Sequence, residues 1–144
     1  MTIYKWDQKT MSVSVPEMDA EHQILIDKIN KTYEAGQTKS PKNAILQAYK
    51  ELIAYTEEHF ADEEYYMEKI QYKGRIRHKA VHQELLKQMK TYLEYIEKTG
   101  VFTTAFWEFL THWWKAHIQT MDMPYGKECK TKATPPIEKP NESV

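Results

Sequence analysis

Residues 40–67 read SPKNAILQAYKELIAYTEEHFADEEYYM, and this stretch decides the fold. Ser40 is suited to an N-cap and Pro41 to the first helical position. Ile45, Tyr49, Leu52, Thr56, His59, Glu63 and Met67 then recur at spacings of three and four. That period predicts one long amphipathic helix reaching about residue 70. The inward stripe changes character along its length. It begins with aliphatic and aromatic side chains and ends with an imidazole and a carboxylate one turn apart.

The same pattern appears on either side. Upstream, Asp19 is a suitable N-cap with Glu21 in the first turn. His22, Ile26, Ile29 and Tyr33 share a face, and Gly36 marks the end. Downstream, a third helix begins near Arg75 and presents His78, His82, Leu85, Met89, Tyr92 and Ile96 before Thr99-Gly100. A fourth begins near Thr103 and presents Phe106, Leu110, Trp113, His117 and Met121. Pro124 disfavours helical backbone at Met123, so this helix should end near Asp122. Each helix has one apolar stripe to bury, and the connections between them are short. The expected fold is therefore all-α, an up-down-up-down antiparallel four-helix bundle. Residues 1–18 lack a helical period and read as an N-terminal arm. Residues 127–144, with Pro135, Pro136 and Pro140, read as a flexible C-terminal tail beyond a single domain at 1–126.

A chain of 144 residues can bury a core without disulfides. Its single cysteine, Cys129, can form none internally, which suits a reducing compartment. The net charge of −1 argues against nucleic acid or an anionic membrane as the main partner. No apolar run approaches a membrane span, and residues 1–7 lack the apolar region of a signal peptide. We expect a cytoplasmic protein, monomeric by preference.

The chemistry lies on the inward stripes. Of six histidines, five (His22, His59, His78, His82 and His117) occupy them, and Glu63 does too. Positions four apart are only about 40° out of phase, so His59 can share an ion with Glu63, and His78 with His82. Asp122, five residues after His117, is about 140° out of phase in a regular helix and needs a loosened last turn to face inward. Buried imidazoles and carboxylates cost several kcal/mol per unpaired charge unless an ion meets them. Seven donors exceed what one tetrahedral zinc uses and suit two octahedral ions. The imidazole and carboxylate mixture favours iron or manganese over copper or calcium. The chain has no Glu-x-x-His, the motif of carboxylate-rich di-iron bundles. A histidine-rich shell supplies less negative charge, which suits binding oxygen better than cleaving it.

These residues resemble those of the hemerythrins, specifically the single-domain bacterial type. The matching segments are Met18-Asp-Ala-Glu-His22, His59-Phe-Ala-Asp-Glu63-Glu-Tyr-Tyr-Met67, His78-Lys-Ala-Val-His82 and Trp113-Trp-Lys-Ala-His117-Ile-Gln-Thr-Met-Asp122, followed by Tyr125-Gly126. The resemblance spans about residues 6–126. It implies a non-haem, bridged di-iron centre that binds dioxygen reversibly, without enzymatic turnover. His78, His82 and His117 would hold one iron and His22 and His59 the other, with Glu63 and Asp122 bridging. It also places the aspartate at this same offset. One departure stands out: where the family commonly has leucine over the oxygen pocket, this chain has Trp114.

Other residues have plainer readings. His112 falls off the His117 face and reads as a surface residue. Glu57, Glu58, Asp62 and Glu64 read as solvated helix charge. Trp6, Trp107 and Trp113, with Met67, Met89 and Met121, read as packing. Cys129 carries no expected role. Three rival functions use the same helices: a di-iron redox enzyme acting on peroxide or nitric oxide, an oxygen or redox sensor working through a partner, and a zinc-stabilised structural bundle.

Overall fold

The computed structural model describes residues 4–118, 122, 124 and 125. The proposed tail with Cys129, and Met121, lie outside the described residues. Five helices follow in order: α1 (Gln8–Met11), α2 (Pro16–Gln37), α3 (Lys42–Lys69), α4 (Arg75–Thr99) and α5 (Thr104–His117). The four long ones form the antiparallel bundle, joined by connections of a few residues.

The helix ends have local causes, and two differ from the sequence reading. Helix α2 begins at Pro16, not after Asp19, with Val15 in extended backbone as its N-cap. Proline suits the first helical position because its missing N–H would be unpaired there anyway. Asp19 caps the arm instead: Ser12 Oγ donates to Asp19 Oδ2 at 2.6 Å and Val13 N to Oδ1 at 2.8 Å. Likewise Pro41, not Ser40, is the N-cap of α3, without a side-chain cap bond. Gly100 ends α4 with φ 74°, a conformation glycine adopts without steric cost, and its N–H donates to Ile96 O. Thr103 Oγ1 accepts from Phe106 N at 3.1 Å and so starts α5.

The arm is ordered by contacts that no periodicity announces. Tyr4 N donates to Asn30 Oδ1, and Asn30 Nδ2 returns the bond to Tyr4 O. The Tyr4 hydroxyl donates to the Thr111 carbonyl. Met11, Val13 and Val15 join the core.

Antiparallel packing gathers the N-termini of α2 and α4 with the C-termini of α3 and α5. All the inward histidines therefore fall in one half of the bundle. The other half is apolar: Ile29, Tyr49, Leu52, Met89, Ile96, Phe106 and Leu110 are each at most 1% exposed. Trp6 and Trp107 pack against this core, Trp113 is buried, and Met67 and Met89 are fully enclosed.

Candidate metal centre

Four helices carry a histidine or carboxylate into one buried cluster. His22 comes from α2, His59 and Glu63 from α3, His78 and His82 from α4, and His117 from the last turn of α5. These and Asp122 are at most 4% exposed. Asp122 reaches the cluster because the backbone at Ile118 and Asp122 is π-helical. A π turn closes on the fifth residue rather than the fourth, which returns a residue five along to nearly the same face.

The two carboxylates organise the rest. Glu63 Oε1 lies 3.4 Å from His59 Nε2 and 3.1 Å from His82 Nε2, while Oε2 lies 3.3 Å from His22 Nε2. Asp122 Oδ1 lies 2.9 Å from His78 Nε2 and 3.1 Å from His117 Nε2, while Oδ2 lies 3.2 Å from His22 Nε2. All five imidazoles thus turn Nε2 towards the carboxylates.

Closeness here is mostly not hydrogen bonding. Nε2 of His59, His78, His82 and His117, Glu63 Oε1 and both Asp122 oxygens are buried without a hydrogen-bond partner. Buried polar atoms are rarely left so, because each costs about 1–3 kcal/mol. So many in one place fit a site whose lone pairs converge on cations. The donor atoms form two groups, each within 4.8 Å: Glu63, His78, His82, His117 and Asp122, and His22, His59, Glu63 and Asp122. Glu63 and Asp122 belong to both.

Charge is balanced accordingly. Burial pulls the His59 imidazole down, but the Glu63 carboxylate and the bond to Glu21 outweigh it and push it up to about 10. His22 and His82 are raised against their own burial, His22 by Asp122 and Glu63 and His82 by Glu63 and Glu64. Burial would raise Glu63, yet His59, His22 and His82 hold it well below the usual carboxylate range. Asp122 is lowered too: burial and Glu63 oppose ionisation, and His117 and His22 prevail.

Two outer carboxylates escaped the sequence reading. Glu21 is buried, and its Oε1 accepts from His59 Nδ1 at 2.7 Å. Glu64, read as solvated charge, accepts from His82 Nδ1 at 2.9 Å. Such bonds fix the ring and its tautomer, leaving Nε2 as the free donor. Asp62 is buried as well, whereas Glu57 and Glu58 are exposed as expected. Tyr125 donates to Glu63 Oε2 at 2.8 Å. His112 is exposed, and its Nδ1 donates to Glu108 O. Phe60 stacks on His82 with ring centroids 3.7 Å apart, and Trp114 stands edge-on to His22 at 5.0 Å.

The fold and the cluster define a helical-bundle protein with a buried dinuclear cation site. The chain belongs to the hemerythrin family: the model of the hemerythrin HHE cation binding domain matches residues 13–128. It is similar to a bacteriohemerythrin of Stenotrophomonas maltophilia, 27% identical over 90% of this chain and 84% of that protein. It is also similar to a myohemerythrin of Riftia pachyptila, 30% identical over 85% of this chain and 90% of that protein. A crystal structure of a hemerythrin variant superposes with a TM-score of 0.81 at 25% identity, covering 88% of this chain and 97% of the other. The cofactor of this family is a non-haem di-iron centre, and the orphaned imidazole and carboxylate atoms are a donor set that fits it.

Proposed function

We propose that this chain binds dioxygen reversibly at its iron pair, as a carrier, store or scavenger rather than an enzyme. His78, His82 and His117 would hold one iron, His22 and His59 the other, and Glu63 and Asp122 would reach both. The iron pair, when bound, supplies the electrons and the coordination position that a dioxygen molecule needs.

The protein's own groups do the rest. Glu21 and Glu64 hold the tautomers of His59 and His82. Tyr125 fixes the orientation of the Glu63 carboxylate. Phe60, against His59, His82 and His117, and Trp114, against His22, wall the site with apolar surface. Water excluded by that wall cannot carry protons or displace a weakly held gas.

The observation that carries this reading is the pair of buried donor groups sharing two carboxylates. A net charge of −1 argues against nucleic acid or an anionic membrane as the main partner. No helix among the described residues is long and apolar enough to cross a membrane. Our reading is of a cytoplasmic protein, monomeric by preference.

The deciding experiment is the visible spectrum of the reduced, iron-loaded protein, recorded in turn without oxygen, in air and after oxygen removal. A colour that forms in air and bleaches reversibly, at two irons per chain, is the expected result. Immediate irreversible oxidation with two irons retained would sink reversible binding and point to redox turnover.

A further inference from the structure

The residue over the His22 side of the site carries a polar atom with nothing to bind. Trp114 is 0% exposed, and its Nε1 has no hydrogen-bond partner. An indole nitrogen is a donor only, so no change of tautomer can relieve it. A tryptophan buried in a helical core usually finds a partner for this N–H. Leucine or phenylalanine would fill comparable apolar space without stranding a donor.

Its position gives the stranded donor a use. The ring meets His22 edge-on at 5.0 Å, with an interplanar angle of 76°. His22 in turn lies edge-on to His59 at 4.7 Å. These two imidazoles belong to the group with four protein donors, whereas the neighbouring group has five. An octahedral ion with four protein donors keeps one more position for outside ligands than an ion with five. With ions held by these two groups, the position open to an outside ligand would lie on the His22 and His59 side, which Trp114 borders. Trp113 supplies a contrast within the same helix. Its Nε1 also lacks a partner, but its ring lies 6.3 Å from His117, in the five-donor group, and stacks on Phe109.

We propose that the Trp114 indole N–H donates a hydrogen bond to a small anionic ligand, or to one that becomes anionic on binding, at the ion held by His22 and His59. This rests on the iron-pair reading above and deepens it by naming what selects the ligand. A donor-only group beside the open position favours ligands with negative charge on the near atom over neutral ones. It also stabilises the charge a gas acquires when it takes up electrons. Trp114 is thus a specificity residue and not only a wall.

Azide is a suitable anionic probe, titrated by absorbance into the oxidised, iron-loaded full chain. Trp114→Phe keeps an aromatic ring, opens some space and deletes the donor. A donor role predicts azide binding weaker by about ten- to hundredfold, as for a lost hydrogen bond to a charged group. A purely steric wall predicts the opposite sign, because the smaller ring admits the ligand more easily. Unchanged or tighter binding in Trp114→Phe overturns the proposal. A second measurement needs no variant at the site: the indole N–H marker band in ultraviolet resonance Raman spectra, with and without azide. It should shift towards stronger hydrogen bonding in the native protein and still shift in Trp113→Phe. A band that does not move, or a shift abolished in Trp113→Phe, overturns the assignment to Trp114. Iron content and the azide absorbance band separate this from failure of the iron-pair reading. Two irons with normal azide colour and no band shift reject Trp114 alone. Absence of iron or of azide colour rejects both.

Discussion

The two halves of the bundle are built on opposite terms. In the apolar half, buried groups complete one another within the protein. Phe106 meets Tyr49 at 4.9 Å and 88°, and the Tyr49 hydroxyl donates to the Met89 carbonyl at 2.8 Å. In the histidine half, four Nε2 atoms and three carboxylate oxygens are buried without hydrogen bonds. The same four helices run through both halves, so topology does not explain the difference. One half is finished by folding alone, and the other is finished by what it binds. Stability should therefore be separable along the bundle axis.

The largest expected effect is removal of the metal. A ligand held only by the folded state stabilises it by about 4 kcal/mol when present at a thousand times its dissociation constant. Chelation should lower the melting temperature sharply, and iron should restore it. A melting curve indifferent to chelation would show that the histidine half holds itself together, and the contrast would fail. The stripped protein should also carry the pH signature. His59 is raised in the folded state, so its contribution is complete below about pH 6.5 and is lost as pH climbs through about 10. Glu63 is lowered, so its contribution is present above the ordinary carboxylate range and is lost in acid. Metal-free protein should thus weaken as pH rises from about 6.5 to about 10. Iron uptake should instead tighten over that rise, because binding displaces the protons.

Next in size is Phe106→Ala. Emptying a fully buried aromatic site should cost about 3–5 kcal/mol in urea unfolding while leaving the iron stoichiometry at its native value. Iron loss in step with stability would show the halves to be one cooperative unit. Smaller is Glu64→Gln, which weakens the bond holding the His82 ring. Iron affinity should fall about 10- to 100-fold, read by competition with a chelator, with little change in the stability of the metal-free protein. Smallest is Tyr49→Phe, which should cost about 1 kcal/mol in urea unfolding, with iron affinity unchanged.

The same contrast governs what could be read from the sequence. Periodicity exposes a residue by its phase, so the stripes and the five inward histidines were legible, as was Glu63 one turn beyond His59. Glu21 and Glu64 were not. Each stands one position from a stripe residue, His22 and Glu63, about 100° off the face, where side chains are usually solvated. Their partners, His59 and His82, are on neighbouring helices, and the pairing exists only once those helices pack. A Glu beside an inward residue was a signal of sorts, but an ambiguous one. The start of α2 was misplaced for a related reason: Asp19 looks like a cap by type, and its use in pinning Ser12 and Val13 is tertiary. The arm followed Tyr4 and Asn30, a pairing 26 residues apart that no local pattern encodes.

Asp122 alone contradicted its own phase, and the π-helical backbone at Ile118 and Asp122 resolves the contradiction. Such a turn amounts to an α-helix that has swallowed one extra residue. The site therefore measures angle and not residue count. In an ordinary α-helix, two residues four apart also share one face, about 40° out of phase. The spelling of this ligand pair is accordingly elastic. A search of sequences for the same centre should tolerate either spacing and ask only where the side chain ends up pointing.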